Sequence, residues 1–181
     1  MGGRDKLTET VAGMALLRLV ATRALTTNAS VGVALSVPGT EHRKCLSGLK
    51  VAQIDVVDAD EGMAASIRTG VSHFENFDGV MILPGDMPDL LPDDFAEVLQ
   101  QFNFQGGLRI IRATSSDGRQ GHPVVFPRRY YADLKQLTGD VGAKSILERN
   151  SDQVIDVALA GDRALVDLDT AADWLSWQNK I

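Results

Sequence analysis

The stretch GVMILPGDMP, residues 79–88, indicates the class of fold of this chain most clearly. Its first five residues are apolar with no polar face, which is typical of a strand buried on both sides of a parallel sheet. The prolines and the glycine that follow mark a turn. Ligands of such sheets bind beyond the carboxyl ends of the strands, so Asp86 is the first candidate for chemistry. A carboxylate held there is well placed to bind Mg²⁺, although turn aspartates that cap the next helix are more common.

Outward from this stretch, apolar segments of strand length alternate with segments of helical periodicity. The predicted strands are residues 31–35, 51–57, 79–83, 108–113, 123–126, 154–158 and 164–168. The predicted helices are residues 11–25, 41–49, 63–74, 92–102, 128–137, 142–149 and 170–178. This alternation predicts an α/β fold with a mostly parallel sheet covered by helices on both faces. No linker or internal repeat interrupts it, so we predict a single domain over residues 1–181.

The composition argues against several classes of protein. The 181 residues include 18 Lys and Arg against 24 Asp and Glu, a net charge of −6, which argues against general binding to nucleic acid or an anionic membrane surface. No stretch approaches the roughly 18 consecutive apolar residues of a transmembrane helix, and the first residues lack the apolar core of a signal peptide. The single Cys45 cannot form an internal disulfide. We therefore expect a cytoplasmic protein.

A second pair of carboxylates follows another apolar segment. Asp167 and Asp169 are two residues apart, so on a strand they would point to the same side. One or two such carboxylates suffice for a divalent ion when phosphates supply its other ligands. From the residues alone, an Asp169 that caps the last predicted helix is the favoured alternative.

Three glycine-containing turns are further candidates for ligand binding. Gly62 and Ser66 begin a predicted helix whose small residues let a flat ligand approach, and simple packing explains them equally well. Gly121 and His122 lie in a turn that either contacts an anionic substrate or is an ordinary hairpin. Residues 139–142 open a helix whose amino end could receive a phosphate. The sequence contains neither G-x-G-x-x-G nor G-x-x-x-x-G-K-[ST], which argues against NAD-type and P-loop sites.

Taken in order, six blocks resemble the MobA/MocA-type nucleotidyltransferases, in particular the molybdenum cofactor cytidylyltransferases. The blocks are MGGRDKL (1–7), EGMAASIRTG (61–70), LPGDMP (83–88), GRQGHPVVF (118–126), LTGDVGAKSIL (137–147) and VDLDTAADW (166–174). The resemblance implies a Rossmann-like three-layer sandwich of the nucleotide-diphospho-sugar transferase type. It also implies Mg²⁺-dependent transfer of a nucleoside monophosphate, CMP rather than GMP, from the NTP to molybdopterin or molybdenum cofactor, with release of pyrophosphate.

The resemblance further implies a role for each candidate residue. Asp86 and Lys6 would be catalytic, with Asp86 holding the metal beside Asp167, Asp169 or both, and Lys6 meeting the triphosphate as a point charge. The nucleotide pocket would comprise Gly2, Gly3, Lys6, Gly62, Ser66 and Gly85. The acceptor would face Gly121, His122, Asp140 and Gly142. A molybdoenzyme that receives the finished cofactor is an implied partner.

The chain departs from the family pattern at its start. Family members begin with an apolar strand and a loop of the type L-A-A-G-x-S-x-R-M-G-G, of which residues 1–3 match only the end. The first strand is therefore expected to be missing, through a late start codon, a shortened sequence, decay of the copy, or replacement by a strand from a second copy. Two other functions stay open: transfer to a sugar-phosphate or polyol-phosphate, and nucleotide or cofactor binding without catalysis. The sequence leaves the oligomeric state open.

Overall fold

A computed structural model describes residues 5–11, 13–140, 142–168, 174 and 177. The helices are α1 Leu16–Leu25, α2 Thr40–Cys45, α3 Met63–His73, α4 Pro92–Phe104, α5 Tyr131–Leu134 and α6 Lys144–Arg149. The strands are β1 Thr10–Val11, β2 Met14–Ala15, β3 Gly32–Ser36, β4 Ala52–Val56, β5 Gly79–Ile82, β6 Ile110–Thr114, β7 Gln120–Pro127 and β8 Val154–Ala158. Strands and helices alternate along most of the chain, which confirms the α/β class. None of the described helices has the length and apolarity needed to span a bilayer.

Among the described residues the strands form three sheets. β1 and β2 are a short antiparallel pair, while β3 and β4 run parallel, with Gly32 opposite Ala52. The largest sheet has the order β5-β7-β6-β8, in which β6 is parallel to β8 and β7 is antiparallel to both of its neighbours. This sheet therefore contains both parallel and antiparallel pairs. The segment between β6 and β7, residues 115–119, is too short for the crossover that parallel neighbours require.

Helices cover both faces of the large sheet, as the sequence predicts. Side chains alternate along β7: Val125 enters the apolar cluster that contains Phe95 of α4, whereas Val124 and Phe126 enter the cluster that contains Ile67 of α3. Two separate apolar cores therefore flank the sheet. This arrangement leaves the carboxyl ends of the strands for the turns that carry the candidate site.

Three predicted elements are wrong. Residues 11–15 belong to the β1–β2 hairpin rather than to α1, because Gly13 has a φ of 81°, outside the helical range. Residues 120–122, predicted as a turn, begin β7. Residues 164–168, predicted as a strand, are turn and irregular chain, since the amide N–H groups of Leu165 and Val166 both donate to the Asp162 carbonyl.

Two other sequence-based expectations concern the ends of helices. Asp89, Asp93 and Asp94 form an acidic cluster in the sequence that is most simply interpreted as a solvated helix start, yet Asp94 is only 4% exposed. Its carboxylate accepts from the amide of Leu91 and pairs with Arg163, so it caps α4. The helix predicted over residues 170–178 lies outside the described residues except for Trp174 and Trp177, which are buried in one cluster.

Candidate active site

Asp86 lies in the turn that follows β5, and only 7% of the residue is exposed. Its Oδ2 is 2.5 Å from Nζ of Lys6. Its Oδ1 is buried and has no hydrogen-bond partner among the described residues. A buried carboxylate oxygen without a partner is unfavourable by about 1–3 kcal/mol or more. This oxygen therefore fits a ligand atom for a hard divalent cation such as Mg²⁺.

Lys6 is held in a 3₁₀ turn, Lys6–Thr8, at the amino end of the described chain. The side chain of Asp5 begins this turn by accepting from the amide of Leu7. The same carboxylate lies 2.6 Å from Nε2 of His42 in α2, the helix that follows β3. Asp5 and Lys6 thus contact groups beyond the carboxyl ends of two different strands, β3 and β5. Sequence reasoning missed Asp5, because its partner is distant in sequence and no local motif marks it.

Gly85 allows the turn before Asp86 to pack closely. A Cβ at Gly85 would lie 3.1 Å from Cδ1 of Leu17 in α1 and 3.5 Å from Cδ2 of Leu7. The first distance is tighter than an ordinary van der Waals contact. The structure therefore gives Gly85 a packing contact; its predicted part in nucleotide binding stays a prediction.

His122 lies in β7 with its imidazole largely buried. Burial lowers the pKa of His122, and a hydrogen bond to the carbonyl of Ile82 and the charges of Asp86 and Asp167 offset this only in part. Among the described residues, the buried Nδ1 has no hydrogen-bond partner. The imidazole lies close enough to Asp86 and Asp167 for both negative charges to act on its pKa.

Asp167 is exposed, while the next residue, Leu168, is fully buried and anchors the segment in the core. Residues 164–168 do not form the predicted strand, so strand geometry gives no reason for Asp167 and Asp169 to point to the same side. Asp169 itself lies outside the described residues. Within the described part of the chain, no three His, Cys, Asp or Glu side chains converge on one complete metal site. A cation held there would need oxygen ligands from a substrate phosphate.

Gly121 is required by a close backbone contact. The amide of His122 donates to the carbonyl of Ala164. A Cβ at Gly121 would lie 2.1 Å from that same oxygen, which no side chain tolerates. Gly121 thus lets β7 approach the turn that leads to Asp167, and its predicted contact with the acceptor stays a prediction.

A second group of predicted residues meets at the amino end of α3. The amide of Met63 donates to Oδ1 of Asp140 at 3.0 Å, and the amide of Ala64 donates to the carbonyl of Gly139. These bonds satisfy two of the free N–H groups that begin every helix. Gly62, with a φ of 102°, gives the turn room, since a Cβ there would lie 3.1 Å from the Asp140 carboxylate. Asp140 therefore caps α3 in this structure.

An ion pair reinforces this cap. Arg68 pairs with Glu61 and also donates to the carbonyl of Leu137. Sequence reasoning missed the pair, although Glu61 and Arg68 are seven residues apart, the separation of two helical turns. Gly142 also packs against the start of α3, because a Cβ at Gly142 would lie 2.9 Å from Sδ of Met63. Ser66 is half-buried one turn into α3.

The structure thus brings Lys6, Asp86 and His122 to one place, with the charge of Asp167 nearby. It brings Gly62 and Asp140 together at another place, the start of α3. The remaining candidates, Gly2, Gly3 and Asp169, lie outside the described residues. A lysine, a carboxylate with a free buried oxygen and a neutral imidazole can bind a metal-complexed polyphosphate and position a second substrate.

The sequence matches the family model of the MobA-like NTP transferase domain over residues 1–154. A search of curated proteins finds no significant match. Solved structures with a similar fold include Rv0371C from Mycobacterium tuberculosis in complex with manganese. It is 19% identical, with a TM-score of 0.81 over 97% of this chain and 92% of that chain.

Two similar structures are cytidylyl-type synthetases by name. CMP:2-keto-3-deoxy-manno-octonic acid synthetase complexed with CTP is 16% identical, with a TM-score of 0.71 over 96% of this chain and 92% of that chain. 4-Diphosphocytidyl-2C-methyl-D-erythritol synthase from Anaerococcus prevotii is 10% identical, with a TM-score of 0.69 over 96% of this chain and 92% of that chain. At such identities the likeness concerns the fold, and it agrees with the Rossmann-like α/β class.

Proposed function

Because the chain belongs to the family of MobA-like NTP transferase domains, we propose that it transfers a nucleoside monophosphate from an NTP to a phosphorylated acceptor and releases pyrophosphate. CTP is the proposed donor ahead of GTP, and molybdopterin is the proposed acceptor. The six ordered blocks support both choices. The observation that carries the reaction type is the buried Asp86: one of its oxygens pairs with Lys6, and the other has no partner in the part of the chain that the structure describes.

In the proposed reaction an acceptor phosphate oxygen forms a bond to the α-phosphorus of the NTP. The bond from that phosphorus to the oxygen that bridges to the β-phosphorus breaks, and pyrophosphate leaves with the electron pair. The protein has little covalent work in such a transfer, so its contribution is positioning and neutralisation of charge. Bound Mg²⁺ would neutralise phosphate oxygens, and Asp86 and Asp167 are the described carboxylates that would hold it, beside the predicted Asp169.

Lys6 carries the positive charge of the proposed site. Its Nζ pairs with Asp86 while its side chain is 31% exposed, so the ammonium group can reach a ligand that enters from solvent. In this position the ammonium would meet the triphosphate as a point charge. This local charge explains how a chain with a net charge of −6 can bind a polyanion.

His122 is proposed to orient the acceptor. Its buried Nδ1 has no partner among the described residues, so in its neutral form it is available to a hydrogen-bonding group of the acceptor. The low pKa that burial gives this ring keeps it neutral at pH 7. A neutral ring nitrogen of this kind suits a polar pterin ring better than it suits a phosphate.

A second class of acceptor is supported by the structural comparisons. Two proteins of similar fold are named for products made from a sugar acid and from an erythritol derivative. A sugar-phosphate or polyol-phosphate is therefore the alternative acceptor, with the same donor chemistry at Asp86 and Lys6. The two candidates differ only in what binds beside His122.

The test is pyrophosphate release from CTP or GTP with Mg²⁺ and either molybdopterin or a polyol-phosphate, beside calorimetry of NTP binding. Release with molybdopterin and CTP supports the proposal, and release with only the polyol-phosphate supports the alternative. Mg²⁺-dependent NTP binding without release for any acceptor would contradict both and identify a non-catalytic paralogue.

A further inference from the structure

A cavity of about 390 Å³ lies at the opposite end of β5 from Asp86. It is lined by Asp78, which precedes β5, and by Arg128 and Arg129, which follow β7. Because β5 and β7 are antiparallel, the start of β5 and the end of β7 meet here. A cavity of this volume suits a small molecule. It is therefore a candidate binding site that is separate from the candidate active site.

Two arginines in this region share a neutral partner instead of a carboxylate. Nη2 of Arg129 and Nη1 of Arg109 donate to Oε1 of Gln153 at 3.3 and 3.4 Å, both longer than an ordinary N–H···O bond. The Arg129 guanidinium also lies 4.9 Å from the centre of the Tyr130 ring. Arg109 donates to the carbonyl of Asp152, and its Nε is buried with no partner among the described residues. Two guanidinium charges that share one neutral oxygen repel each other, and an anion bound beside them would offset this repulsion.

Arg128 adds a third positive charge at the cavity. Its amide donates to the carbonyl of Asp78, while its exposed side chain forms no ion pair with any carboxylate of the described chain. Elsewhere in the described chain, the arginines that pair with carboxylates are Arg43, Arg68, Arg112, Arg119 and Arg163. In a chain with a net charge of −6, three neighbouring arginines without such a pair indicate a site for an anion.

A buried hydroxyl group lies near this positive charge. Tyr131 is 6% exposed, and its Oη has no hydrogen-bond partner among the residues that the structure describes. Burial raises the pKa of Tyr131, and the charges of Arg128 and Asp78 also act on it, so the phenol is protonated and close to two residues of the cavity wall. A buried polar group without a partner is unfavourable, and a protonated phenol can donate to an anionic oxygen. Tyr131 is therefore a second group that an anion in this cavity would satisfy.

Another part of the cavity wall is apolar. Phe102, Leu108 and Pro127 form it, and Leu108 is 62% exposed. Gly106 and Gly107 also line the cavity, and they leave space there because they have no side chains. An apolar ring or chain seated in this space would cover Leu108 and remove apolar surface from water. The lining thus combines a positively charged part with an apolar part.

We propose that this cavity binds a small organic phosphate monoester, with its phosphate against Arg128 and Arg129 and its apolar or aromatic group against Leu108. A phosphate monoester carries close to two negative charges at pH 7, which balance two guanidinium groups. The paired N–H groups of a guanidinium also match phosphate oxygens in geometry. Arg109 adds positive charge beside Arg129, and the Tyr131 hydroxyl donates to the phosphate that Arg128 holds. The proposal stands apart from the proposed reaction, because its test measures no activity.

Calorimetry of the full chain with phenyl phosphate, which joins a phosphate to an aromatic ring, tests the site. We expect a dissociation constant of about 1 mM or lower, and an affinity lower by about tenfold or more in Arg128→Met and in Leu108→Asp. Leu108→Asp changes an exposed side chain, so it tests the site without disturbing a buried contact. Arg119→Met, which removes the same charge from an exposed ion pair before the start of β7, is the matched control and should leave the affinity unchanged.

Unchanged affinity in Arg128→Met and Leu108→Asp would overturn the proposal, as would no binding of phenyl phosphate at about 10 mM. Inorganic phosphate and benzoate each lack one half of the probe, and we expect both to bind about tenfold more weakly or less. If either binds as tightly as phenyl phosphate, the proposed class of ligand is wrong. Lys6→Met is titrated in parallel. A loss of affinity in this variant, with none in Arg128→Met, would mean that the probe binds at the candidate active site and would also overturn the proposal.

Discussion

Nζ of Lys6 lies 2.5 Å from Oδ2 of Asp86, so the first turn of the described chain is tied to the turn that follows β5. The ion pair leaves Oδ1 of Asp86 buried, and none of the described residues is its hydrogen-bond partner. A cation bound at this carboxylate would therefore find one oxygen already available and would compete with the ammonium for the other. The pair links the two residues on which the proposed chemistry depends most.

Substitution of Asp86 tests the metal site. We expect Asp86→Asn to lower Mn²⁺ or Mg²⁺ affinity and pyrophosphate release by about 100-fold or more, since a neutral amide cannot replace the carboxylate. The near-equal shape should leave the thermal midpoint close to that of the unsubstituted chain. Asp93→Asn, at an exposed carboxylate, is the control. Unchanged Mn²⁺ binding in calorimetry of Asp86→Asn would remove Asp86 from the metal site.

Lys6 is expected to act through its charge. We expect Lys6→Met to lower kcat/KM for the NTP by about tenfold or more, because a hydrogen bond to a charged group contributes about 1.5–3 kcal/mol. The effect should weaken for the nucleoside diphosphate, which lacks the terminal phosphate. Lys44→Met, which removes an exposed partner of Glu41, is the matched control and should leave the kinetics unchanged.

The pH dependence of stability tests the environment of His122. Burial lowers the pKa of His122 below its ordinary 6.5, so the unfolded chain takes up this proton first as the pH falls. The free energy of unfolding should therefore decrease below about pH 6.5, by at most about 1.4 kcal/mol per pH unit from this residue, and not above that pH.

Urea unfolding of His122→Gln between pH 7.5 and 5.5 should show a shallower decrease than the unsubstituted chain. His73→Gln removes an exposed imidazole and serves as the control. If His122→Gln shows the same decrease with pH as the unsubstituted chain, His122 does not resist protonation in the folded state.

Two substitutions of Asp140 distinguish its structural role as a helix cap from its predicted role in substrate binding. Asp140→Ala removes the acceptor of the Met63 amide, and loss of a helix cap lowers the free energy of unfolding by about 1 kcal/mol. We expect a thermal midpoint lower by about 2–4 °C. Asp140→Asn keeps an oxygen for the Met63 amide and should restore most of the midpoint. If Asp140 also faces the acceptor, the asparagine variant will still show a raised KM for the acceptor.

The sequence correctly predicts strands whose apolar residues pack within the sheet. The β8 strand, Val154–Ala158, is predicted with the same bounds that the structure shows, and its apolar side chains pack against both cores: Val154 against one, Ile155 and Val157 against the other. Residues 164–168 have similar apolar content, but Ala164 and Leu168 are buried separately by a turn that packs on the core. A strand and such a turn contain the same residue types, so the pattern cannot separate them.

The candidate site is predicted less completely, because its contacts join distant parts of the chain. Asp86 is predicted from its place after an apolar strand, and the structure finds it buried beside Lys6. Asp140 is predicted to face the acceptor, whereas its carboxylate binds the Met63 amide, 77 residues earlier in the sequence. No local pattern reveals a cap that comes from another loop.

Pyrophosphate release measures nucleotidyl transfer at Asp86. The chain is incubated with Mg²⁺, CTP and molybdopterin, and Asp86→Asn is run in parallel. We predict pyrophosphate in equal amount to the nucleotide transferred, abolished by EDTA and by Asp86→Asn. Release that is unchanged in Asp86→Asn, or no release with any NTP and acceptor, would show that nucleotidyl transfer does not take place at Asp86.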